Sequence, residues 1–131
     1  MILLDTHVWV WLAMDSKRLS RAALAAIRRA AESGGLSVAS ISLWELAALF
    51  DAGRIRAPGT IESSVRSVVE QTSAIVHEIT PEIAALATAF PADFPSDPAD
   101  RLIGATARSL GLPLVTRDQR MSESALLKTI W

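Results

Sequence analysis

The sequence predicts an α/β fold in which a parallel sheet of four or five strands carries helices on both faces. Three observations predict it. Short apolar runs alternate with longer helical stretches along the whole chain, the order that a parallel sheet with helical crossovers requires. The runs "MILLD" and "LSVAS" read as strands buried on both faces, as in a covered parallel sheet. Several of the helical stretches begin at capping residues or prolines, and three of them close at glycines.

Taken in order, "MILLD" is a buried strand with Asp5 at its carboxyl end. "THVWVWLAM" reads as a short helix, and "SRAALAAIRRAAESGG" as a longer one with Ser20 as its N-cap and Gly34 and Gly35 closing it. "LSVAS" is the second strand, and "ISLWELAALFDAGRI" a helix that ends near Gly53. Pro58 and Gly59 break the chain before an amphipathic helix over residues 60–72, with Thr60 at its cap. "AIVHEIT" is a third strand, and "PEIAALATAF" a helix with Pro81 in its first turn. After the loop "PADFPS", a helix runs from Pro98 to Leu110 and ends at Gly111. "LPLVTRD" is a fourth strand that again ends in an acid, and "ALLKTIW" offers a fifth. No repeat, low-complexity tract or linker interrupts the 131 residues, so a single domain over 1–131 is expected.

Composition narrows the function classes. Half of the residues are hydrophobic and mean hydropathy is +0.31, which excludes a disordered chain. The apolar run "VWVWLAM" falls well short of the roughly 18 to 20 residues that span a bilayer. The N-terminus lacks the basic, apolar and small-residue succession of a secretory leader, so a cytoplasmic protein with no membrane association is expected. With no cysteine, disulfides and thiolate metal sites are excluded. A net charge of -1 advertises no bulk basic field for nucleic acid. Eleven of the thirteen basic residues are nevertheless arginine, the side chain suited to bidentate contact with phosphate, although a GC-rich genome produces the same bias.

Four acids stand where a purely structural chain has little use for them. In open parallel sheets, ligands bind outside the carboxyl ends of the strands, and Asp5 and Asp118 both follow strand ends. Each has a structural alternative as a helix or turn cap. Glu45 shares a helical face with Ile41, Ala48 and Leu49, where an unpartnered carboxylate costs several kcal/mol. Its alternative is an ion pair with Arg101. Asp97, Pro98 and Asp100 have the form of a capping box, which explains Asp97 well. It explains Asp100 less well, because Asp100 shares a face with Ile103, Gly104 and Ala107. Acids brought together in one pocket repel one another, and hard oxygen-seeking cations such as Mg²⁺ or Mn²⁺ relieve them. Zinc fits poorly without cysteines or paired histidines; His7 and His77 are lone residues without ligand spacing.

"LLDTH", "SLWEL" with Glu45, "DPADRLIGATA" with Asp100 and "LVTRD" with Asp118 together resemble the PIN-domain ribonucleases, in particular the VapC toxins of bacterial toxin-antitoxin pairs. The resemblance covers essentially the whole chain, in order and spacing. It implies a three-layer α/β/α sandwich around a central parallel sheet, and a metal-dependent endoribonuclease that hydrolyses RNA phosphodiesters. It further implies Asp5, Glu45, Asp100 and Asp118 as catalytic metal-site acids for Mg²⁺, with Mn²⁺ as a substitute. Thr6 and Thr116 match positions beside the first and last acids, where a hydroxyl orients a carboxylate, and Asp97 is a helix cap or outer acid. Arg101, Arg117 and Arg120 neighbour the acids in sequence and are candidate RNA contacts. The resemblance also implies a VapB-type antitoxin as partner, and a homodimer. Trp9, Trp11, Trp44 and Phe50 supply more apolar width than one short helix needs against a sheet, which suits such an interface, with core packing as the alternative fate of each single side chain.

The chain departs from the subgroup at Ala99, where a bulky aromatic is usual, and at Pro95 and Ser96, where a histidine often precedes the aspartate-proline pair. These departures touch the loop rather than the acids. Three rival readings are a non-catalytic RNA-binding or scaffold domain of the same fold, a metal-dependent DNA nuclease, and a receiver-type phosphoacceptor. The last needs an acceptor aspartate on a central strand and a late lysine, whereas "LSVAS" and "AIVHEIT" end without aspartate and Lys128 is the only late lysine.

Overall fold

The structure, a computed structural model, describes all residues 1–131. The elements run β1 (Ile2–Leu4), α1 (Thr6–Met14), α2 (Arg21–Glu32), β2 (Leu36–Ala39), α3 (Ile41–Asp51), α4 (Ile61–Thr72), β3 (Ile75–His77), α5 (Pro81–Thr88), α6 (Pro98–Leu110), β4 (Leu114–Val115), α7 (Gln119–Ser122) and β5 (Thr129–Ile130). Caps read from the sequence do the work expected of them. The Ser20 hydroxyl accepts from the Ala23 N–H at 3.0 Å, and that of Thr60 from the Ser63 N–H at 3.0 Å. Gly111 ends α6 in the left-handed conformation with φ 64°, which a residue with a Cβ adopts only under strain.

Two features were not anticipated. A 3₁₀ turn occupies Ser16–Arg18 between α1 and α2. β4 stops at Val115, short of the acid that closes "LPLVTRD". There the Thr116 hydroxyl accepts the Asp118 N–H at 3.0 Å, which bends the chain out of the sheet, and Asp118 caps α7 instead of ending a strand.

All five strands are parallel, in the order β3-β2-β1-β4-β5. Alternation along each strand separates two cores. Ile2, Leu4, Leu36, Val38 and Val115 face α1 to α4, where Val8, Trp9, Ile27, Leu46 and Phe50 bury against them. Leu3, Ala39 and Leu114 face the other way, onto Ile83, Phe90, Phe94, Ile103 and Met121. Helices thus cover both faces of the sheet, in three layers. On that second side Phe90 and Phe94 stack with ring centroids 3.9 Å apart over Gly104 of α6. A Cβ at Gly104 would come within 2.9 Å of Phe90 Cζ and 3.0 Å of Phe94 Cζ, so the bare glycine is what lets the rings close on the helix.

The topology also locates the site. From β1 the chain moves to β2 and β3 on one side, and later to β4 and β5 on the other. The reversal falls between β1 and β4, and a crevice opens at their carboxyl ends, where Asp5 and Asp118 follow.

Candidate active site

Asp5 is buried where the central strand ends. Its backbone N–H extends the ladder to the Val115 carbonyl at 3.0 Å. One carboxylate oxygen accepts from the Thr6 N–H at 2.8 Å as the N-cap of α1, and the other accepts from the Thr116 hydroxyl at 2.7 Å. Pairing of Leu4 with Val115 puts Thr116 beside Asp5, so strand register makes the second contact. The cap leaves Asp5 open to a further contact, because a carboxylate has more lone pairs than these two donors use.

Glu45 projects from α3, half-buried, and accepts from the Thr6 hydroxyl at 2.5 Å. Thr6 Oγ1 also lies 2.7 Å from Ser42 Oγ; since a threonine has one proton and gives it to Glu45, Ser42 is the donor to Thr6. Ser42, one helical turn before Glu45, was not singled out in the sequence, although its i, i+3 spacing is legible there. The suggested Glu45–Arg101 ion pair does not form. The only ion pair in the chain is Arg66–Glu62, on the surface of α4.

Asp97 caps α6 by accepting from the Ala99 N–H at 3.0 Å. Asp100 makes no reciprocal cap bond and faces the crevice. Asp118 accepts from the Arg120 and Met121 N–H groups as the cap of α7 while also lining the crevice. Asp5, Glu45, Asp97, Asp100 and Asp118 thus surround one open cleft of about 380 Å³, together with His7, Trp11 and Arg117.

The electrostatics follow from that crowding. Burial pushes the Asp5 carboxyl up, and the hydrogen bonds from Thr116 and Thr6 pull against it. Burial likewise raises Glu45, opposed by Thr6. Asp100 is pushed up to about 7, first by burial and then by the charges of Asp5, Asp97, Asp118 and Glu45. No three of these side chains converge closely enough to enclose an ion as they stand. The four acids named as ligands form a ring around the cleft rather than a closed cage, as carboxylates without a counter-charge do. Their donor set still fits a hard divalent cation: all oxygen, no cysteine, no histidine pair, and no basic side chain ion-paired to any of them.

The three arginines separate. Only Arg117 lines the cleft. Arg101 is committed elsewhere: its guanidinium donates to the carbonyls of Pro95 (3.0 Å), Ala87 (3.3 Å), Phe90 (3.2 Å) and Pro91 (3.4 Å). It clamps the loop that delivers Asp97 and is not aimed at the cleft. Arg120 donates to the Asp93 carbonyl at 3.3 Å, outside the cleft. His7, set aside in the sequence, lines the cleft, as does Trp11, which was grouped with interface candidates. The readable signal was spacing, since both lie on one face of α1, one turn apart, just after Asp5. His77 lies on β3, outside the cleft.

A strand-end acid site at the switch point of a five-stranded parallel sheet defines a class of α/β domain, and residues 2–126 match the PIN-domain family; the chain belongs to that family. It is 45% identical over 120 residues to Ribonuclease VapC22 of Mycobacterium tuberculosis, an alignment that covers 92% of this chain and 88% of that protein. In three dimensions it is similar to the structure of VapBC2 from Rickettsia felis bound to a DNA fragment from their promoter, with a TM-score of 0.73 at 15% identity over 98% of this chain and 97% of that one. It is also similar to DNA-bound VapBC from Salmonella typhimurium, with a TM-score of 0.71 at 22% identity and the same coverage. These two likenesses bear on the fold alone.

Proposed function

We propose that the chain is the toxin of a type II toxin-antitoxin system and acts, as a single domain over 1–131, as a Mg²⁺-dependent endoribonuclease, with Mn²⁺ as a substitute ion. One observation carries the reading: Asp100 lies among four other carboxylates at the sheet's switch point, none of them ion-paired to a basic residue. Such a cluster is tolerable only if protons or a cation occupy it. The 45% identity to a protein named a ribonuclease supports RNA as the substrate.

Asp5, Glu45, Asp100 and Asp118 would hold the ion. Bound there, it would supply Lewis acidity toward the phosphodiester and lower the pKa of attacking water. The protein supplies geometry. Thr116 fixes the orientation of Asp5, and the Ser42–Thr6 relay fixes that of Glu45, so the two carboxylates meet the substrate already aimed. Asp97 sets where α6 begins and hence where Asp100 projects. Arg117, which lines the cleft, would take a non-bridging phosphate oxygen.

The solved VapBC complexes of similar fold support a VapB-type antitoxin as the partner, and a homodimer is proposed with it. No helix is long and apolar enough to cross a membrane, in keeping with a cytoplasmic role. The test is cleavage of single-stranded RNA and of the DNA of the same sequence, in Mg²⁺ and in EDTA, by wild-type, Asp5→Asn and Asp100→Asn proteins. RNA cleavage that needs Mg²⁺ and disappears in both variants is expected. Cleavage at the wild-type rate in the variants sinks the site, exclusive DNA cleavage moves the substrate class, and no metal binding together with no cleavage leaves a non-catalytic domain. Growth arrest on expression, relieved by Asp5→Asn, is the matching test of the toxin role.

A further inference from the structure

Trp11 is the one hydrophobic side chain that lines the acidic cleft. It is half-buried: part of the indole packs on the core of α1 to α4, and the rest faces the cleft. The Arg18 guanidinium lies 4.5 Å from its ring centroid and that of Arg117 6.0 Å away. The rings of His7 and Trp131 stand at 6.1 Å and 5.9 Å, tilted by 46° and 56°, and form side walls.

A structural account of this cluster is incomplete. Both arginines are exposed and neither is held by a carboxylate, the only ion pair being Arg66–Glu62. An exposed cation–π contact contributes only about 0.5–1 kcal/mol. Two uncommitted guanidiniums over an aromatic face, at the edge of a phosphate-cutting site, are the chemistry of single-stranded nucleic-acid binding, in which bases stack on aromatic rings and arginines take the backbone.

We infer that Trp11, with Arg18 and Arg117, is a nucleobase subsite: one unpaired base next to the scissile phosphodiester stacks on the Trp11 indole, and the two guanidiniums take the neighbouring phosphates. This rests on the ribonuclease reading above. Arg18 ends the exposed 3₁₀ turn at Ser16–Arg18 and yields the indole face to the base as it moves to a phosphate. The subsite asks for an unstacked base, so it selects single-stranded over paired RNA.

The test uses the full chain carrying Asp100→Asn to slow turnover. Its affinity is measured for a short single-stranded oligoribonucleotide and for a ribose-phosphate oligomer of equal length without bases. Trp11→Ala is expected to weaken the base-bearing oligomer about tenfold and leave the abasic one unchanged. Trp11→Phe, which keeps an aromatic face and most of the packing, is expected to restore affinity to within about threefold. Arg18→Gln and Arg117→Gln are expected to weaken both oligomers and to flatten the salt dependence. In the cleaving protein, Trp11→Ala raises KM for RNA far more than it lowers kcat. Equal loss on both oligomers, or no loss on either, overturns the subsite while cleavage by the wild type still stands. A wild-type protein that cleaves no RNA overturns the nuclease reading and the subsite with it.

Discussion

Thr116 and Thr6 each spend their single proton on a carboxylate of the cleft, and that is where the chemistry is most exposed to a small change. Replacing either by valine keeps the shape and removes the orienting bond. Metal affinity, followed by titration, or RNA cleavage is expected to fall about 10- to 100-fold in Thr116→Val and Thr6→Val. Unchanged values in both would show that the hydroxyls only fill space. Asp100 makes a second prediction. Its carboxyl rises from 3.8 in the unfolded chain to about 7 in the fold, so between those values the folded chain holds a proton that the unfolded chain has released. The stability this contributes is complete below the unfolded value and is lost as pH rises through the folded one. Metal-free protein should therefore melt at higher temperature as pH falls from about 8 to about 5.5, Asp100→Asn should flatten that gradient, and Mg²⁺ should stabilise most at the alkaline end. A wild-type gradient that persists unchanged in Asp100→Asn would refute it. That Glu45 and Asp100 lay on inward faces was legible from helical spacing. That Arg101 would bond four carbonyls instead of Glu45 was not, because those carbonyls come from a loop whose path no local rule dictates.

At the scale of elements, α6 shows how capping and site placement combine. Asp97 accepts from the Ala99 N–H and its charge also raises Asp100, so its two roles can be separated. Serine caps a helix about as well as aspartate. Asp97→Ala should cost about 1 kcal/mol in denaturant unfolding and Asp97→Ser only a few tenths, while both let the Asp100 pKa fall. If Asp97→Ser keeps full Mg²⁺ affinity, Asp97 is a cap; a loss as large as that of Asp100→Asn would make it a ligand. Further along the same helix, Gly104→Val forces a side chain into the Phe90–Phe94 stack. Overpacking of this kind costs about 1–3 kcal/mol, and the rings have little room to yield because Arg101 pins their loop. A melting temperature equal to wild type would contradict that packing. The helix limits themselves were readable, since Pro98 and Gly111 bound α6 in both sequence and structure. The early end of β4 was not, because it depends on a Thr116 hydroxyl that bonds Asp5, 111 residues away, as well as Asp118.

Across the whole molecule the tryptophans divide by layer. Trp9 is fully buried between the sheet and α4, with its indole N–H donated to the Thr72 hydroxyl at 2.9 Å, and Phe50 is buried with it. Trp44 is 66% exposed on the outer face of α3. Trp9→Ala should cost about 3–5 kcal/mol in equilibrium unfolding, and Trp44→Ala within about 0.5 kcal/mol of nothing. Similar losses in the two variants would mean that the layers are assigned wrongly. By itself the sequence determined the order of strands and helices, the limits of most of them and the four acids to watch, because periodicity, caps and breakers act over a few residues. Only the tertiary structure decided that β1 and β4 are neighbours, that the switch point falls between them, and that Asp5, Glu45, Asp100 and Asp118 therefore ring one cleft with Trp11 and Arg117 at its rim. Those facts depend on strand pairing and loop path between residues far apart in the chain, and contacts at that separation leave no mark in local spacing.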